Sequence, residues 1–212
     1  KAGGLPVANI LDLDEKLGVI VQEDFGDTIL RNVLQRSQPE EKEALIDEAI
    51  TLIAQIQKTT ELAFDTNSVA SRLKFDTGKL MWELEFFRTH YFETYLKKPL
   101  AEAKTAALQH EFLELSRELE SRAAVLCHRD FHAANLMVDS DGQLHIIDHQ
   151  DARIGSAAYD LVSLLLDRIT EPPAASWLAV KRKCLLGERV RLGLAQLDEA
   201  DFTYEFRLQT VQ

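Results

Sequence analysis

Apolar and polar positions change their period twice along the chain. Short apolar runs come first: Val7 to Leu11 and Gly18 to Glu23 read as two strands, joined by the turn-like DLDEK. From Thr28 the period lengthens. Thr28 to Arg36, Pro39 to Thr60, Gly78 to Leu96 and Leu100 to Arg122 predict helices, with Pro39 suited to a first turn. Leu80, Leu84, Phe87 and Tyr91 recur at helical spacing and predict the buried stripe of the third helix. Short strands return next, one ending near Cys127, one over Leu136 to Val138, and one that Asp148 terminates. VDSDGQ, containing Asp139 and Asp141, reads as a hairpin turn because Asp-Gly suits positive φ. Ser156 to Arg168, Pro173 to Leu192 and Asp198 to Gln212 are helical in period again. There is no internal repeat and no low-complexity linker.

The strand-rich stretch carries the candidate chemistry. HRDFHAANLMV, IIDHQDA and AAYDLVSLL follow one another, so that Asp130 and Asn135 fit HxDxxxxN on a loop, Asp148 closes a strand and Asp160 enters an apolar helix. These residue types suit phosphoryl transfer, which needs divalent metal against the phosphates and a carboxylate to orient and deprotonate the acceptor. Mg²⁺ takes carboxylate and amide oxygens, so Asn135 and Asp148 are the candidate metal ligands. Asp130 is the candidate base. His128 reads as a hydrogen-bonded spacer, and Asp160 as a carboxylate favoured by the dipole near the start of a helix.

Composition narrows the field only at its edges. A chain of 212 residues, 46% hydrophobic, can bury one or two cores. Its net charge of −11 argues against nucleic-acid binding, for which a basic stripe is expected. No apolar run approaches the roughly 18 residues of a membrane span and no signal peptide is visible, so the expected location is cytoplasmic. Cys127 and Cys184 give no disulfide framework.

The quoted motifs resemble those of the aminoglycoside phosphotransferase and choline kinase superfamily, relatives of the protein kinases. The resemblance implies an α+β, protein-kinase-like fold: residues 1–24 as the end of a small β lobe with its hinge, and residues 25–212 as a mainly helical lobe with the catalytic loop. It implies ATP and Mg²⁺ as cofactors, Gln22, Glu23, Asp24 and Phe25 as the adenine-binding hinge, and His128, Arg129 and His132 beside Asp130 in the catalytic loop. Only eleven residues separate Asp148 from Asp160, too few for a long activation loop, which favours a small-molecule acceptor over a protein. Together with VIVQEDFGDTIL and LMWELEFFRTHYF, the motifs look most like bacterial kinases of the anomeric hydroxyl of N-acetylmuramate and N-acetylglucosamine in cell-wall recycling. Glu85, Arg88, Asp151 and Arg153 are the candidate acceptor contacts, because carboxylates and guanidinium groups can bind hydroxyls or an acidic substituent. His149 departs from the pattern, standing where relatives usually have an aromatic residue. The superfamily's glycine-rich phosphate loop, its lysine and that lysine's glutamate have no candidate segment. The expectation is therefore part of a longer kinase, with 212 residues that bind ATP poorly alone. An aminoglycoside phosphotransferase and a kinase-like binding module without chemistry remain alternatives.

Overall fold

A computed structural model describes residues 3–167 and 173–212. Strands β1 (Ile10–Asp14) and β2 (Val19–Gln22) form an antiparallel hairpin with a register shift between Ile10 and Asp12. Its first strand lies three residues beyond the predicted start at Val7. The reason is local: the Asp14 carboxylate accepts the N–H groups of Lys16 and Leu17, and Gly18 adopts a φ of +66°, so the turn forms after Asp14 and not over DLDEK. Val7 instead bridges to Ile146.

Helices take over at α1 (Leu30–Arg36) and α2 (Pro39–Lys58). Pro39 occupies the first turn of α2, Glu40 and Glu41 follow it and Lys58 closes the last turn, which complements the helix dipole at both ends. Ala49, Ile50, Ile53 and Ala54 form its buried face. A break at Thr59 ends α2, and two short helices follow it, α3 (Thr60–Asp65) and α4 (Val69–Arg72). The predicted helix Gly78 to Leu96 divides into α5 (Thr77–Arg88) and a π-helical segment, Thr89–Tyr95. Of its predicted stripe, Leu80 and Leu84 are buried while Phe87 and Tyr91 are exposed. Leu80 packs with Phe75 and Leu119, whereas Phe87 and Tyr91 stack on each other, with ring centroids 5.3 Å apart, outside that cluster.

After α6 (Glu102–Ser121) come four three-residue strands. β3 (Val125–Cys127) pairs with β6 (Arg153–Gly155), and β4 (Leu136–Val138) pairs with β5 (Leu144–Ile146), both antiparallel. Three helices complete the chain: α7 (Tyr159–Leu166), α8 (Ala175–Arg191) and α9 (Glu199–Val211), the last capped by the Asp198 carboxylate. The predicted end of α7 at Arg168 lies outside the described residues. One core joins α2, α7, α8 and α9 through Ile50, Ile53, Leu161, Leu185, Phe202 and Phe206. It also buries Leu136, Leu144 and Ile146, so the small strands and the loops that leave them rest on the helical core. No helix among the described residues is long and apolar enough to cross a membrane.

Candidate active site

Two loops leave the short strands side by side, one over residues 128–135 between β3 and β4 and one over residues 147–152 between β5 and β6. Asp160 ties the first loop to α7. Its carboxylate, 1% exposed, accepts the backbone N–H of His128 at 2.8 Å and of Arg129 at 3.0 Å. Burial pushes the Asp160 pKa up to about 7, against the opposing pull of the two N–H donors. Arg129 adopts a φ of +86° and Asp148 a φ of +62°. A non-glycine residue held in this region stores about 1–3 kcal/mol of strain, so both turns need support from their surroundings. For Arg129 the clamp from Asp160 supplies it.

His128 joins the two loops. It is 2% exposed, and its Nε2 lies 2.8 Å from the carbonyl of Ile147, which requires Nε2–H to donate. Burial lowers its pKa, so the ring is a neutral strut. Asn135 forms the other join: its Nδ2 donates to the Asp130 carbonyl at 3.0 Å and lies 3.4 Å from Asp148 Oδ2. With the amide nitrogen so engaged, Asn135 Oδ1 and the Asp148 carboxylate are oxygen donors of the kind Mg²⁺ prefers. Among the described residues no group of three or more His, Cys, Asp or Glu is arranged to hold a metal. Two protein oxygens fit an ion whose remaining ligands come from phosphates and water.

These loops separate two cavities. The first, of about 410 Å³, brings Ile20, Phe25, Met137 and Ile146 together with Asp148. Gln22, Glu23 and Asp24 also line it, so the predicted hinge and the predicted metal aspartate face one space. The second, of about 460 Å³, is polar and contains Asp130, Glu83, Arg129, His132 and Gln209. Arg129 donates to Asp151 at 2.6 Å and stands 3.8 Å from Asp130 and 3.9 Å from Glu83. Its guanidinium therefore sits among three carboxylates. Gln212 donates to Glu83 at 2.7 Å, linking α9 to α5 across the cavity wall.

The remaining sequence-based candidates lie elsewhere. Glu85 and Arg88 pair with each other at 2.7 Å, Arg88 also reaches Glu93 at 2.8 Å, and neither lines the polar cavity. Asp151 is occupied by Arg129. Arg153, 9% exposed in β6, donates to the Asp151 carbonyl and lies over the Phe75 ring. His149 lines the apolar cavity. Sequence reasoning overlooked Glu83, Tyr159, Gln209, Thr210 and Gln212, all on the polar cavity. Glu83 looks like any surface charge of α5, and the α9 residues carry no motif.

Comparison with known proteins places this geometry in a family. The chain belongs to the phosphotransferase enzyme family, whose profile matches residues 1–193. An N-acetylmuramate/N-acetylglucosamine kinase of Neisseria meningitidis serogroup B (strain ATCC BAA-335 / MC58) is 31% identical over 166 residues, covering 78% of this chain and 47% of the relative. A kinase of the same name from Caulobacter vibrioides (strain ATCC 19089 / CIP 103742 / CB 15) is 27% identical over 172 residues, with the same coverages. The chain thus spans about half the length of the curated relatives it matches. Among solved structures, the gentamicin complex of APH(2")-IIa aligns with a TM-score of 0.56 at 16% identity, covering 90% of this chain and 64% of that one. The ADP-bound aminoglycoside phosphotransferase APH(2'')-Ib aligns with a TM-score of 0.54 at 15% identity, covering 98% and 76%. The fold is the α+β, protein-kinase-like fold of these enzymes.

Proposed function

We propose that the protein is an ATP-dependent kinase of a small-molecule hydroxyl, acting on the anomeric hydroxyl of an amino sugar of the N-acetylmuramate or N-acetylglucosamine type. The observation that carries this reading is the division of labour across Asn135. Its amide touches the Asp130 carbonyl and the Asp148 carboxylate, while Asp130 faces the polar cavity and Asp148 the apolar one. A nucleotide base suits Phe25, Met137 and Ile146, and a polyhydroxylated acceptor suits Glu83, Gln209 and Gln212.

In the proposed reaction Asp130 orients the acceptor hydroxyl and takes its proton. The acceptor oxygen forms a bond to the γ-phosphorus as the bond to the β,γ-bridging oxygen breaks, and ADP leaves. Asn135 and Asp148 would hold Mg²⁺, which neutralises charge on the phosphates when bound. His128 and Asp160 keep Asp130 and Asp148 in register, and Arg129 balances the carboxylates around the acceptor. The names of the two curated relatives support an amino-sugar acceptor.

A second reading, an aminoglycoside acceptor, draws on the Glu83 and Asp130 carboxylates, which attract cations, and on the solved neighbours. Measuring ADP release by the intact protein with ATP and Mg²⁺ separates the two. N-acetylmuramate or N-acetylglucosamine should stimulate turnover and Asp130→Asn should lower it by at least about a hundredfold, the range of a lost general base. Turnover stimulated by an aminoglycoside alone would replace the first reading with the second. Sugar-dependent turnover that survives Asp130→Asn would remove Asp130 as the base.

A further inference from the structure

The segment from Glu23 to Asp27 crosses the β4–β5 hairpin like a strap fixed at both ends. At its start Glu23 donates its N–H to the Asn9 carbonyl at 2.8 Å, and its carboxylate accepts the Asn9 N–H at 3.1 Å and the Asn9 amide at 2.6 Å. Past its end, Val138 donates to the Thr28 carbonyl at 2.8 Å and Ile29 bridges to Met137. Between these ends Gly26 N–H reaches the side chain of Asp24 at 2.8 Å. Phe25, at its centre, is held from below. Its ring stacks on His145 of β5, with centroids 3.8 Å apart and planes 21° from parallel.

His145 is itself immobilised. Its neighbours in β5, Leu144 and Ile146, point into the core, so the alternation of the strand turns His145 to the opposite face, toward the strap. There its Nε2 lies 2.7 Å from Asp139 Oδ2. The other Asp139 oxygen accepts the N–H groups of Asp141 and Gln143, both at 2.9 Å, within the β4–β5 turn. The hydrogen bond with His145 holds the Asp139 carboxyl below the usual carboxylate range, so the acceptor is ionised at neutral pH. A continuous chain of contacts thus runs from the turn backbone through Asp139 and His145 to Phe25, which lines the apolar cavity beside Asp148.

We propose that His145 and Asp139 are positioning residues for the nucleotide: they fix where the Phe25 ring stands in the apolar cavity, and so set nucleotide affinity without touching the reacting atoms. The inference rests on reading that cavity as the nucleotide site. An aromatic stack is worth about 0.5–1.5 kcal/mol beyond its buried area, which corresponds to about a 2- to 13-fold change in affinity. The stack needs a flat ring, whereas the link to Asp139 needs the imidazole nitrogen, and substitution can separate the two.

The test is ADP binding by calorimetry, with the KM for ATP and kcat, on the intact protein and its variants. His145→Ala should weaken ADP and raise the KM for ATP by about 2- to 13-fold, with kcat at saturating ATP unchanged. His145→Phe, which restores a ring, should return ADP affinity to within about twofold of the parent. Asp139→Asn should shift affinity the same way as His145→Ala, by less. A merely structural role would lower unfolding temperature and kcat together and would not be rescued by phenylalanine. Parent-like ADP affinity in folded His145→Ala, or a folded His145→Phe that does not recover, would overturn the positioning role. An intact parent protein that binds no ADP would overturn the nucleotide reading of the cavity, and this inference with it.

Discussion

Asp160 shows how one buried residue can serve the site and burden the fold. It accepts two N–H groups of the catalytic loop, yet burial pushes its pKa from an ordinary 3.8 up to about 7. A carboxyl whose folded pKa is raised holds more protons in the folded state between those two values. Its contribution to stability is therefore complete below its unfolded pKa and lost as pH rises through 7. Asp160→Asn cannot titrate, so the stability of the parent relative to this variant should fall as pH rises from about 4 to about 7. Urea unfolding of both proteins across that range measures it, and a constant difference would contradict the raised pKa. Asp160 and the catalytic-loop residues were legible because motif spacing marks them. Glu83 was not, because Glu83, Glu85 and Arg88 look alike along α5; only the packing of Leu80 against Phe75 and Leu119 determines which of them meets the polar cavity.

Elements of three residues are the hardest to read, since long-range pairing and not local pattern creates them. No element is predicted over Arg153–Gly155, which becomes β6 by lying between β3 and the segment around Lys74: Ile154 exchanges N–H···O bonds with Leu73 and Phe75, each 2.9 Å. This close approach requires Gly155. A Cβ there would come within 2.9 Å of the Phe75 ring and 3.0 Å of Cys127 Sγ. Neither neighbour can yield easily, because Phe75 is 2% exposed, stacked on Tyr159 at 4.3 Å and covered by Arg153, while Cys127 is fully buried. Gly155→Ala should therefore destabilise the protein by about 1–3 kcal/mol, the usual range for overpacking, as read from chemical denaturation. The long helices were legible from period alone. The π-helical segment was not, because the same aromatic spacing suits a continued α-helix.

At the scale of the whole molecule, the two cavities depend on different parts of the chain. The apolar cavity is built from the β1–β2 hairpin, the strap and the β4–β5 hairpin. The polar cavity depends on α9, some 80 residues beyond Asp130, whose Gln209 and Thr210, with Gln212 just after it, line one wall. One carboxylate secures that helix. Glu205, 7% exposed, accepts the Ser156 hydroxyl at 2.6 Å and the Ala158 N–H at 3.2 Å, and stands 3.8 Å from Arg122. Replacing it with alanine strands the buried Ser156 hydroxyl before α7, while the Ala158 N–H keeps Ser156 Oγ at 3.1 Å as an acceptor, at a cost of about 1–3 kcal/mol. Because Glu205 lies one turn from Gln209, the same change should loosen the wall of the polar cavity and leave the apolar cavity intact. On the proposed function, Glu205→Ala should thus raise the KM for the amino-sugar acceptor while ADP affinity, measured by calorimetry at a temperature where the variant is folded, stays at the parent value. A parallel loss of both would mean that the cavities do not respond independently and that α9 supports the whole catalytic region.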